Sequence, residues 1–145
     1  MLEHARFKAA EVARQRAGRF VLAGDTLVAL GDSILSKPAD QTEAASMLRA
    51  LAGQVHEVWT AMVLLAPDEQ AHEQVDVARV RFSAVPEAEL ARYLKGTEWQ
   101  DKAGAYGIQG WAGRWAKVEE GSIGTVMGFD PEKVSALLAK AGFRR

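Results

Sequence analysis

The run LAGDTLVALGDSILSKP, residues 22–38, sets a carboxylate inside strand-forming sequence and follows it with a lysine held against a proline. Burying an unpaired charge costs on the order of several kcal/mol. Asp25 therefore has to look out of the core, either into a cleft or as a plain turn-capping aspartate before a hairpin. Arg19–Ala23 reads as a buried strand and Leu27–Leu30 as extended chain, with Asp25 at a strand end between them. Gly31-Asp32 supplies a turn, and Ile34 and Leu35 resume the apolar pattern, so a hairpin is expected here.

Upstream, Phe7, Ala10 and Val12 among Lys, Arg and Glu predict an amphipathic helix over 3–16, closed by Gly18. Downstream, Asp40 followed by Glu43 has the spacing of a capping box, and Ala44, Met47, Leu48 and Leu51 form one apolar stripe. The spacing predicts a helix over 41–52 with Gly53 just past its end. Val55–Ala66 is a long β-rich run broken by Pro67-Asp68, and Gln74–Phe82 alternates as its pairing partner. Pro86 opens a helix that ends at Gly96, Trp115–Glu119 reads as a short strand, and Asp130-Pro131 begins a last helix to Ala141. Helices interleave with hairpins. The expected fold class is α/β, one domain over residues 1–145, with a mixed β-sheet flanked by helices.

Composition narrows the function. The chain has 145 residues, 48% apolar and 26% charged, with a formal net charge of −1. Gripping nucleic acid or an anionic membrane needs a clustered positive surface, so neither partner is expected. With no cysteine, thiolate metal sites, disulfides and cysteine nucleophiles are excluded. No apolar stretch approaches the roughly 18 residues of a membrane span, and MLEHARFKAAEVARQRAGRF has no signal-like apolar region, so a cytoplasmic location is expected. Neither a phosphate-binding Walker loop nor a serine-nucleophile elbow is found.

The second informative stretch is DKAGAYGIQG, residues 101–110. Gly104, Gly107 and Gly110 permit close backbone approach to a ligand. Asp101, Lys102, Tyr106 and Gln109 interleave with them, within a glycine-rich irregular segment over 97–114 of the kind that usually carries function. Composition alone fits a surface loop with a packed tyrosine equally well.

GDT (24–26), ILSKPAD (34–40), LRALAGQVHEVWTAM (48–62), DKAGAYGIQG (101–110) and EEGSIGTVMGF (119–129), in that order, resemble the motifs of the Maf family of nucleoside triphosphate pyrophosphatases. That family shares the fold of the inosine triphosphate pyrophosphatases, and the resemblance covers essentially the whole chain. Its S-x-S-P-R-R loop, which would hold phosphates, has no counterpart here, so the chain is expected to be short at its N-terminus. Other departures are Gly24 for Ala, Ser36 for Gly, Ala52 for Ser, and SIGTVMGFD where the family has Asn and Leu-Pro.

The resemblance implies a substrate, a nucleoside triphosphate, with DKAGAYGIQG pointing to dTTP or UTP. It implies Asp25 as the proton acceptor for water, directly or as a metal ligand. Lys37 and Lys102 would neutralise phosphate oxygens, and Gly107 would let the loop approach the substrate. Asp101 with Asp25 would hold a divalent cation, Mg²⁺ or Mn²⁺. Thr26 and the Gln109 amide would read the pyrimidine edge. Trp111, directly after the loop, is the aromatic expected beside a ligand. His56 is expected to be hydrogen-bonded near the cleft wall, and Ser122 to be a turn serine or a phosphate contact. A homodimer is expected from an unpaired sheet edge. The rival reading is a catalytically impaired nucleotide- or partner-binding protein linked to septum formation.

Overall fold

The centre of the sheet is the long strand whose residues the sequence made most apolar. In a computed structural model that describes residues 1–16 and 18–143, β3 (Val55–Leu65) pairs with β1 (Val21–Leu30) on one side and β4 (Ala71–Phe82) on the other. The short β2 (Ser33–Leu35) and β5 (Ala116–Glu120) complete the order β2-β1-β3-β4-β5.

All four pairings are antiparallel, a correction to the expected mixed sheet. The reason lies in the connections. The excursion through β2 and α2 (Gln41–Leu51) brings the chain back to the end of β1 that it left, so Ala29 faces Glu57. The excursion after β4 likewise returns to Phe82, which faces Ala116. A connection that returns to the same end of a strand makes its partner antiparallel.

β1 is one continuous strand, not two pieces with Asp25 at an end. Its residues 28–30 pair with β2, whereas residues 21–27 have β3 on one side and no strand on the other among the described residues. That leaves Gly24, Asp25 and Thr26 beside an open edge.

Helices cover the sheet in three patches. α1 (Leu2–Gln15) packs on one face, where Ala5 and Ala9 are fully buried against Val21, Ala23, Ala61 and Val63. On the other face, α2 and α3 (Glu87–Leu94) close the main core over Val28, Val58, Val80 and Phe82. Farther along that face, α5 (Pro131–Lys140) buries Leu137 on Met62 and Leu64. α2 starts where the capping pattern indicates: the Asp40 side chain accepts the Glu43 N–H at 2.8 Å, and Gly53 closes the helix at φ 75°. α5 starts on Asp130, whose carboxylate accepts the N–H of Glu132 at 2.9 Å. A short helix, α4 (Ile123–Met127), was not anticipated; Ser122 caps its start, and left-handed Gly128 ends it.

Candidate functional site

Along the open edge of β1 lies a cleft of about 590 Å³. Successive residues of a strand point to opposite faces, yet Gly24, Asp25 and Thr26 all line this cleft, because it wraps the edge where β2 has ended. Lys37, Asp101, Lys102, Gly107 and Gln109 line it too, so the seven residues expected to contact substrate or metal (these five with Asp25 and Thr26) share one site.

The geometry answers the question of the buried carboxylate. The Asp25 side chain is 20% exposed; Lys8 Nζ of α1 stands 3.5 Å from its Oδ1, and the His4 imidazole Nδ1 is 3.7 Å from Oδ2. Lys8 also donates to the Gly24 carbonyl at 3.2 Å, which ties α1 to this stretch of β1.

The glycine loop forms the facing wall, and it contains two single-turn helices, Ala103–Ala105 and Trp111–Arg114. Lys102 Nζ donates to the Glu98 carbonyl at 2.6 Å. The Glu98 carboxylate accepts the Trp111 N–H at 3.1 Å. Both contacts need missing side chains. A Cβ on Gly110 would fall 1.5 Å from Glu98 Oε1, and one on Gly107 would fall 3.1 Å from Lys102 Cε. Left-handed backbone at three positions bends the loop, with φ of 60° at Asp101, 71° at Gly104 and 68° at Ala105. For alanine that conformation costs about 1–2 kcal/mol. The buried Ala105 carbonyl accepts the Tyr93 hydroxyl at 2.7 Å, which helps hold it there.

Beneath the loop, the Tyr106 hydroxyl and His56 Nε2 share a hydrogen bond of 2.6 Å. His56 is 1% exposed, and its Nδ1 has no partner. Burial pushes its pKa down to about 4 and pushes the Tyr106 phenol up. His56 is thus a neutral, hydrogen-bonded support beneath the loop. The wall on the other side is pinned to β3 by a polar contact. Thr60 Oγ1 donates to the Thr125 carbonyl at 2.7 Å and lies 3.4 Å from Thr26 Oγ1. Ser122 accepts the Thr125 N–H at 3.1 Å and is hydrogen-bonded to Asp130, so it is a turn and cap serine that links α4 to α5. That bond is the main reason the Asp130 carboxyl is held below its usual range.

A sequence model of the family described as Maf-like protein matches residues 1–141. The chain belongs to the Maf family. Among curated relatives, the dTTP/UTP pyrophosphatase of Hyphomonas neptunium is 41% identical over 149 residues, covering 99% of this chain and 78% of that protein. The protein of the same name from Rhodospirillum rubrum is 43% identical, covering 97% of this chain and 67% of its own. The one from Koribacter versatilis is 39% identical, covering 95% and 71%.

Within this Maf chain, Trp111 is not beside the cleft: it stacks on Tyr93, with ring centroids 4.2 Å apart and planes at 16°, behind the glycine loop. Sequence reasoning missed three residues of the site, Lys8, Glu98 and Phe129. Lys8 lies on a helix whose docking against β1 is a tertiary fact with no local signal. Glu98 could have been found from the glycine at 110 only by knowing how the loop folds back. Phe129 stands against Gly24, two positions that both depart from the family pattern, so their joint departure was a signal of contact.

Proposed function

We propose that the cleft binds a pyrimidine nucleoside triphosphate, dTTP or UTP, and hydrolyses it to the monophosphate and pyrophosphate. The observation that carries the reading is the convergence of Asp25 with Lys8, Lys37 and Lys102 in one cleft. The name dTTP/UTP pyrophosphatase, borne by three relatives about 40% identical over nearly the whole chain, supports the substrate class.

In this mechanism Asp25 accepts a proton from a water, whose oxygen attacks the α-phosphorus. The bond from the α-phosphorus to the bridging oxygen breaks, and pyrophosphate leaves with that oxygen. Lys37 and Lys102 offset the charge that builds on the departing group. Lys8, 3.5 Å from Asp25 Oδ1, orients the carboxylate. Thr26 and Gln109 contact the base, where an amide both donates and accepts.

The donor set fits a divalent cation in one particular way. No group of three or more His, Cys, Asp or Glu among the described residues forms a cage. The cleft does offer Asp25 and Asp101, and Mg²⁺ is commonly held by one or two carboxylates together with substrate phosphates. Three lysines facing three acids, Asp25, Glu98 and Asp101, leave a triphosphate under-neutralised, so a cation carried in with it completes the charge balance. Such a cation, Mg²⁺ or Mn²⁺, would polarise phosphoryl oxygens.

A homodimer belongs to the same proposal, supported by the half of the sheet face that α1 leaves open, where Val75 and Val77 are 42% and 40% exposed. No described helix is long and apolar enough to cross a membrane. Turnover of UTP in H₂¹⁸O tests the chemistry. The label should enter UMP alone; label in pyrophosphate would place the attack on the β-phosphorus and overturn the mechanism.

A further inference from the structure

The wall formed by α4 ends in two apolar side chains left in water. Met127 is 46% exposed and Phe129 44% exposed, and both line the cleft on either side of Gly128. Phe129 directly precedes the cap of α5, but it is not part of the apolar cluster that α5 buries with Phe20, Val134 and Leu138. Its ring reaches across to β1 instead. A Cβ built on Gly24 would lie 2.9 Å from both Cε1 and Cζ of Phe129.

Gly24 has no backbone need to be glycine. It is an ordinary strand residue facing Met62, without a left-handed φ. A glycine inside a strand weakens it and marks a place where something comes close to the backbone. Here the thing that comes close is the edge of an aromatic ring, one residue from Asp25. The other aromatic residue lining the cleft, Tyr106, is 5% exposed and packed edge-on against His56 and Phe82. Phe129 is therefore the aromatic residue of the cleft with an accessible ring.

We infer that Phe129 is the platform on which the substrate's nucleobase stacks, with Gly24 as the seat that lets the ring lie against β1. The inference rests on the nucleotide reading of the cleft. The lysines and Asp25 handle phosphate; the exposed ring against Gly24, in the same cleft as Thr26, offers the flat apolar surface a base requires. Met127, unbranched and polarizable, adapts around the base edge. Stacking tolerates any base, so the ring sets affinity and position, and the polar edge contacts of Thr26 and Gln109 set choice.

The test follows α,β-imido-UTP with Mg²⁺ and the full chain by proton NMR, alongside UTP and GTP turnover. The uracil H5 and H6 signals of the bound analogue should move upfield, as protons over a ring face do. F129L should abolish that movement, weaken binding roughly tenfold, and raise KM rather than lower kcat, with the UTP-to-GTP preference unchanged. G24A pushes the ring off its seat and should reproduce the loss, and the double variant should bind no worse than F129L. If the analogue binds with unshifted base protons, or F129L binds it as tightly as the parent, the platform is refuted and the hydrolase reading stands. If the parent chain neither binds the analogue nor turns over UTP, both fall together.

Discussion

Replacing Asp25 with asparagine separates the chemistry of the cleft from the stability of the fold. The structural cost is small. Asp25 loses its charge attraction to Lys8 Nζ at 3.5 Å, between side chains 20% and 50% exposed, and such pairs are worth about 0.2–1 kcal/mol. Asparagine matches the shape, and its amide oxygen still accepts from Lys8. No buried polar group is orphaned, because the carboxylate opens onto the cleft. For a domain of this length that corresponds to a fall in Tm of at most about 2–4 °C. The catalytic cost is large, because asparagine cannot take a proton from water, and general-base contributions run to roughly 10²–10⁴-fold. The assay is pyrophosphate release from UTP and dTTP, with thermal melts of both proteins in the same buffer. Turnover within about threefold of the parent would refute the role of Asp25. A fall in Tm beyond about 10 °C would refute the claim that Asp25 is structurally idle.

Other perturbations reach different parts of the account. His56 is held near a pKa of about 4 against an ordinary 6.5, so the unfolded chain takes up its proton first. The stability that neutral His56 contributes is whole above about pH 6.5 and is lost as pH falls towards 4, by about 3 kcal/mol. Urea unfolding between pH 7 and pH 4 should show that slope in the parent and a flatter one in His56→Gln. Lys8→Met should lower kcat by roughly 10²-fold, through the loss of a cation beside Asp25, and leave the urea midpoint nearly unchanged. Gly110→Ala must evict the Glu98 carboxylate from a position 1.5 Å from the new methyl. It should cost about 1–3 kcal/mol in urea unfolding, because the Trp111 backbone N–H loses its acceptor.

What could be read in advance was what depends on neighbours in the chain. The Gly31-Asp32 hairpin, the Asp40 cap and the Pro131 helix start are local chemistry, and each lies where the residues indicated. α4 escaped because five residues are too few for an apolar period; only its brackets, Ser122 and Gly128, mark it. Whether a strand pairs parallel or antiparallel depends on the sheet end to which a long connection returns, and nothing within Val55–Leu65 states that. The same division holds for the site. Asp101, Lys102, Gly107 and Gln109 sit in one loop, and Asp25 and Thr26 in one strand, so motif reading reached them. Lys8 joins them only because Ala5 and Ala9 let α1 lie close on β1 and β3. Trp111 was drawn inward by Tyr93, a partner 18 residues earlier in the chain that no reading of the loop itself reveals.

The central claim is that this chain's cleft cleaves a pyrimidine nucleoside triphosphate between its α and β phosphates. ³¹P NMR of the 145-residue protein with UTP, dTTP and GTP in turn, each with Mg²⁺ or Mn²⁺, tests it most directly. The account predicts that the UTP and dTTP signals give way to those of the monophosphate and pyrophosphate, that GTP persists, and that Asp25→Asn leaves all three unchanged. Inorganic phosphate as the first product, or no change with any nucleotide in the parent protein, would contradict it.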